Sequence, residues 1–134
     1  MHRGVTAMKD GDDSAGKLRV AVVGPCASGK TTLVNALNAA GFDGRHPAQE
    51  HSYVPDMWQK LVAPDVLIYL DVDEAAFVTR RPHQRDGVAA RLVRQHARLE
   101  HARAHSDVYL DTSDLLPEQV QARVLAYLQT LQEE

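Results

Sequence analysis

Residues 18–31 read LRVAVVGPCASGKT, and the reading of this stretch decides the fold. Leu18 to Val23 is a short, mostly apolar run rich in β-branched valine. Such a run suits a parallel strand buried on both faces. Gly24-Pro25-Cys26-Ala27-Ser28-Gly29-Lys30-Thr31 follows and satisfies the spacing G-x-x-x-x-G-K-[ST] at every fixed position. That spacing marks a loop whose backbone N–H groups turn inward around phosphate oxygens. Gly24 and Gly29 permit the dihedrals and the close approach that a Cβ hinders. Lys30 brings a point charge to the β- and γ-phosphates, and the Thr31 hydroxyl is a ligand for Mg2+. The positive end of the next helix faces the same anion. Gly24, Ala27, Ser28, Gly29, Lys30, Thr31 and Thr32 are therefore the expected nucleotide-binding residues.

Outward from the loop, strands and helices alternate. Thr31 to Ala40 reads as a helix with Leu33, Val34 and Leu37 on its apolar face and Gly41 as its stop. Arg45 to Ser52 is ambiguous and holds room for a short second strand. Pro55 fits the first turn of a short helix through Leu61. Val66 to Val72, VLIYLDV, is the clearest strand in the chain. Asp73 reads as the N-cap of a helix that runs to Arg81 and stops at Pro82. Val88 to His105 reads as a longer helix and Val108 to Leu110 as a last short strand. Pro117 opens a final helix with Val120, Val124, Leu125 and Leu128 on one side. This alternation predicts an α/β fold, a three-layer α/β/α sandwich around a small parallel sheet. Residues 1–16 have neither period and are rich in Gly, Asp and Ser. They read as a flexible leader, with one domain over residues 17–134.

The composition sets outer bounds. With 134 residues, 44% hydrophobic and 25% charged, the chain has the balance of a single soluble globular domain. It contains no apolar run long enough to span a membrane and no apolar signal-peptide core, so a cytoplasmic location is expected. Cys26 is the one cysteine, which excludes an internal disulfide framework and a Cys-rich zinc cage. A net charge of -3 offers no general reason for nucleic-acid binding. His83, His96, His101 and His105 lack carboxylate or cysteine partners at metal-ligand spacing along the chain, so no transition metal is expected.

Three stretches carry a family resemblance: GPCASGKTTLVNAL at 24–37, PDVLIYLDVDEAAFVTRR at 64–81 and DVYLDTSDLLPEQVQARVLAYL at 107–128. Together they resemble the P-loop kinases of the nucleoside-monophosphate-kinase-like group. The resemblance implies a P-loop NTPase fold, ATP and Mg2+ as cofactors, and a small phosphoryl acceptor. It also implies lid arginines that clamp the transferring phosphoryl group. Arg80, Arg81 and Arg85 stand at the corresponding place, and Arg80 and Arg85 are the expected catalytic pair. Asp111-Thr112-Ser113-Asp114 looks like the adenine-side loop, with Thr112 at the base; the same residues also suit an Asx or Ser/Thr turn. The chain departs from the family between the loop helix and VLIYLDV, where the span is short and lacks the Asp-Arg pair of many relatives.

A metal–nucleotide site needs a carboxylate near the loop. Glu50 is the expected residue for magnesium and for activating the acceptor, beside Lys30 and Thr31. Asp71 reads instead as a strand-end residue bonded to nearby backbone N–H groups, and Asp73 as a cap. His51 to Trp58 lies where relatives bind their acceptor; Trp58 either stacks on a planar substrate or packs in the core. Arg91, Arg94, Arg98, His101 and His105 share one helix face and read as a solvated basic stripe. Nothing of an RNA-binding signature accompanies it. Cys26 sits close to positive charge, which favours a reactive thiol, although a structural role is the simpler reading.

The expected function is a small ATP-dependent phosphotransferase. The alternative is a nucleotide-binding switch or slow NTPase that acts through a protein partner. SGKTTLVNAL also resembles the loop helix of small GTP-binding proteins. The chain has no Asn-Lys-x-Asp guanine signature and no Asp-x-x-Gly after a strand, so ATP is preferred. Intact Gly29, Lys30 and Thr31 argue against a scaffold that has lost nucleotide binding.

Overall fold

The alternation inside the first strand organises the molecule. In a computed structural model that describes residues 16–133, β1 spans Arg19–Val23. Most of the expected leader, residues 1–15, lies outside the described residues. Val20 and Val22 point to one face of the sheet, Ala21 and Val23 to the other, and all four are fully buried. β3, Val66–Asp71, divides in the same way, with Val66, Ile68 and Leu70 against Leu67 and Tyr69. Burial on both faces is why both strands read as continuous apolar runs.

Two short strands complete the sheet: β2, Asp43–Arg45, and β4, Val108–Asp111. All pairings are parallel, in the order β2-β1-β3-β4. The expected small parallel sheet is thus present. The second strand lies at Asp43–Arg45 rather than within Arg45 to Ser52, where the chain instead makes a 3-10 turn over Gln49–His51. The polar triplet DGR carries no apolar signal. It becomes a strand because the backbone pairs with the edge of β1 through Arg19, Val20 and Ala21.

Among the described residues, five α-helices pack around the sheet: α1 Lys30–Ala39, α2 Met57–Val62, α3 Glu74–Arg80, α4 Val88–Ala104 and α5 Pro117–Gln132. Leu33, Val34 and Leu37 of α1 join Val120, Val124 and Leu128 of α5 against Val20, Val22 and Ile68. Trp58 and Val62 of α2 join Leu99 and Ala102 of α4 against the alternate set. Helices therefore cover both faces, as a layered sandwich requires. The expected caps form: Gly41 adopts φ +97 beyond α1, the Asp73 carboxylate accepts from the Ala76 N–H at 2.8 Å, and Pro117 opens α5.

The connection from β1 runs to β2 on one side, and the next returns past β1 to β3 on the other. The strand order reverses between β1 and β3, and a crevice opens above their carboxyl ends. Open parallel sheets hold ligands at such a point. A third apolar cluster of Ala27, Val72, Phe77, Val88 and Leu92 joins the Gly24–Gly29 loop to α3 and α4 there.

Candidate functional site

The loop from Gly24 to Gly29 leaves β1 and enters α1 at the reversal point. Gly24 has φ +153, and a Cβ built on it would lie 2.0 Å from the Leu70 carbonyl oxygen of β3. Only glycine lets the loop pass that close to the neighbouring strand. Gly29 stands at the N-cap of α1 with φ +101, and no side chain caps the helix. The first-turn N–H groups of a helix have no intrahelical partner, so the positive end of α1 is left for an anion. Ala27 adopts φ +69, a strained backbone for a residue with a Cβ. Its carbonyl accepts from Arg80 Nη1 at 2.8 Å, which holds the strained residue in place.

Lys30 folds back over the loop. Its Nζ donates to the carbonyls of Gly24 at 2.7 Å and Pro25 at 3.0 Å. It also lies 3.1 Å from Glu50 Oε2. The Glu50 side chain is only 7% exposed, and its Oε1 is buried with no hydrogen-bond partner among the described residues. A buried carboxylate costs several kcal/mol unless a charge compensates it, and Lys30 supplies that charge. Ser28 Oγ is also buried and unpartnered. The structure thus brings together Lys30 and Glu50 from the expected catalytic set. Thr31 and Thr32 lie exposed on the first turn of α1.

Arg80 ties three segments together. Besides Ala27 O, its guanidinium donates to Thr112 Oγ1 at 3.0 Å and to the Thr112 carbonyl. Thr112 is buried, and its hydroxyl lies 3.0 Å from both Ser28 O and Asp71 O. Ser113 accepts from the Asp73 N–H at 2.8 Å and takes part in an Asx turn with Asp111. The expected turn chemistry of this segment is therefore present. Beside it lies a cavity of about 380 Å³, lined by Ala27, Gly29, Thr32, Arg80, Thr112 and Pro117 among others. Its walls are chiefly apolar, from Leu33, Leu115, Leu116 and Val120. Arg85 is exposed beyond the 3-10 turn Pro82–Gln84, apart from this network.

Of the two readings for Trp58, the structure gives core packing: it is 5% exposed and packs beneath α4. Its indole N–H donates to His101 Nδ1 at 3.1 Å. One expectation needs correction: the face of α4 is more than a solvated basic stripe. Arg91 donates to Gln84 O at 3.0 Å, and Arg98 donates to Glu50 O at 3.3 Å and to the Tyr53 hydroxyl at 3.0 Å.

Sequence reasoning missed the residues that hold these parts still. Gln49 is fully buried; its amide donates to Val54 O and Arg98 O and accepts from the Trp58 N–H. Gln95 accepts from the Cys26 N–H at 3.0 Å and donates to Cys26 Sγ at 3.3 Å. A signal for Gln95 exists: it interrupts the buried stripe Val88, Leu92, Leu99 and Ala102 of α4. A polar side chain in such a stripe needs a partner.

Asp71 has more partners than the nearby backbone. It accepts from the Val72 N–H as expected, but also pairs with His96 Nε2 at 2.8 Å and accepts from the Tyr109 hydroxyl at 2.6 Å. Burial alone raises its pKa, and the bonds from Tyr109, His96 and Val72 outweigh that, so the carboxyl ends below its ordinary value. Burial and the bond to Asp71 push the Tyr109 phenol up to about 12.

No helix among the described residues is long and apolar enough to cross a membrane. The chain matches no protein-family model, and no curated protein matches it.

Proposed function

We propose that this chain is an ATP-binding P-loop protein that acts as a small kinase-like phosphotransferase on Mg-ATP. The observation that carries the reading is the uncapped N-terminus of α1 beneath a glycine loop, beside a chiefly apolar cavity of about 380 Å³. That size falls in the range of small-molecule pockets. The loop amides and Lys30 hold the triphosphate, and the cavity between Arg80, Thr112 and Leu116 takes the base. For the phosphates to engage Lys30, its Nζ leaves the Gly24 and Pro25 carbonyls. The unpartnered Ser28 Oγ and Glu50 Oε1 are the buried oxygens in the loop region that await a ligand. Thr31 and Glu50 are the oxygen donors for Mg2+, which neutralises charge on the phosphates when bound. Arg80 and Arg85 are the candidate guanidinium groups for the transferring phosphoryl. The open groove of Ser52, Tyr53, Pro55, Arg94 and Arg98 offers two guanidinium groups to an anionic acceptor.

The alternative, a switch or slow NTPase with a protein partner, draws support from one observation. The segment where relatives bind an acceptor is anchored by the buried Gln49 and Trp58 and leaves Tyr53 and Val54 exposed, a surface open to a protein partner.

The test is thermal stabilisation by ATP, GTP, ADP and AMP, each with and without Mg2+, against a Lys30→Ala control. The reading expects a magnesium-dependent gain with ATP that the control loses, on the order of 2.7 kcal/mol at a hundredfold excess over Kd. A further gain from a monophosphate favours transfer, and a preference for GTP favours the switch. No gain with any nucleotide overturns the nucleotide reading.

A further inference from the structure

The loop and the 3-10 turn bring three donor atoms of different kinds to one point. Cys26 Sγ, a Glu50 carboxylate oxygen and a His51 ring nitrogen all lie within 4.8 Å of one another. His51 Nε2 stands 3.7 Å from Cys26 Sγ and 3.8 Å from Glu50 Oε2. Metal–sulfur bonds of about 2.3 Å and metal–nitrogen bonds of about 2.0 Å place tetrahedral donors about 3.3–3.6 Å apart. The sulfur–nitrogen separation is thus close to that geometry, and a shift of the exposed His51 ring brings its nitrogen nearer the Glu50 carboxylate. A second observation points the same way: the Glu50 side chain is more than nine-tenths buried and keeps an unpartnered Oε1.

We propose that Cys26, Glu50 and His51 form a site for a borderline-soft divalent metal ion of the zinc class. Thiolate, imidazole and carboxylate together suit Zn2+, whereas Mg2+ takes oxygen donors. Three protein ligands leave a fourth position for water, the arrangement of a reactive rather than a purely structural zinc. The His51 side chain is 57% exposed, so that position opens to solvent. On binding, the Cys26 thiol gives its proton to solvent and the thiolate bonds the metal. The outer shell is already in place. Gln95 Nε2 donates to Cys26 Sγ and orients it, while its Oε1 holds the Cys26 backbone. Gln49 and Arg98 fix the turn that carries Glu50 and His51. Lys30 shares Glu50 Oε2 and competes with the metal for it. The site stands on side-chain geometry and does not need the nucleotide reading. Use of Glu50 by the softer ion excludes its use as a magnesium ligand, so the two sites compete for this one carboxylate.

The test is a titration of the reduced full chain with Co2+, in the absence of nucleotide. One equivalent is expected to bind with a thiolate-to-cobalt charge-transfer band and the intense visible bands of four-coordination, and Zn2+ is expected to displace it. Cys26→Ser loses the charge-transfer band. His51→Ala, a change at an exposed side chain, weakens binding by more than about a hundredfold, beyond the loss typical of an outer-shell partner. A wild-type protein with no thiolate band overturns the proposal, as does a band of unchanged affinity in His51→Ala. Failure of ATP to stabilise the protein leaves this result untouched, since no nucleotide is present.

Discussion

Gly24 leaves no room for a side chain, because a Cβ there would meet the Leu70 carbonyl at 2.0 Å. Gly24→Ala must therefore push β1 from β3 or displace the loop, at a cost of about 1–3 kcal/mol. A lowered midpoint in urea unfolding, together with loss of any Mg-ATP stabilisation, is the expected result. Asp71 makes a prediction about pH. Its folded pKa lies below the unfolded one, so its contribution is complete above the unfolded value and is lost as pH falls through the folded value. As pH falls below the unfolded carboxyl value near 3.9, Asp71→Asn should therefore flatten the acid limb of the stability curve. An acid limb identical to wild type would show that Asp71 is not the group involved. Tyr109 acts at the other end. Its folded pKa is raised to about 12, so its contribution is complete below the unfolded value and fades as pH rises through the folded one. Tyr109→Phe should remove that alkaline loss.

At the scale of the element, α3 depends on its cap. The Asp73 carboxylate accepts from the Ala76 N–H, and no other side chain caps this seven-residue helix. Asp73→Ala should cost about 1 kcal/mol by thermal unfolding, and Asp73→Ser should restore most of it. The loop after β4 depends on Thr112, whose hydroxyl meets Arg80, Ser28 O and Asp71 O. Thr112→Val keeps the shape and removes the hydroxyl's bonds, while Arg80 keeps Ala27 O and Asp71 O keeps the Thr112 N–H, an expected loss of about 1–3 kcal/mol. A neutral result would mean that water replaces the hydroxyl there. Long apolar runs made β1 and β3 legible, and Gly41, Asp73 and Pro117 marked helix ends through local chemistry. β2 was not legible where it lies, because the polar triplet Asp43–Arg45 owes its strand to a neighbour. The buried glutamines were not legible either, save for the break that Gln95 makes in the stripe of α4. Hydrogen bonds between side chains distant in sequence leave no period to read.

For the whole molecule, the one tryptophan is a reporter of the layer between the sheet and α4. Trp58 packs with Leu67, Tyr69, Leu99 and Ala102. Its fluorescence should shift to the red at the same denaturant midpoint as the loss of far-ultraviolet circular dichroism, as expected of a domain this small. An earlier fluorescence midpoint would mean that this face opens before the α1–α5 face. Leu99→Ala should lower both midpoints together by about 2–5 kcal/mol of stability. The sequence by itself determined the parallel α/β framework and the position of the glycine loop. Periodicity, caps and the G-x-x-x-x-G-K-T spacing are properties of neighbouring residues, and a chain carries them before it folds. Only the tertiary structure decided that Lys30 meets Glu50, that Arg80 joins Ala27 to Thr112, and that Cys26 faces His51. Those meetings arise when the strand order reverses between β1 and β3 and folds remote segments over one crevice, and no short-range pattern encodes that approach.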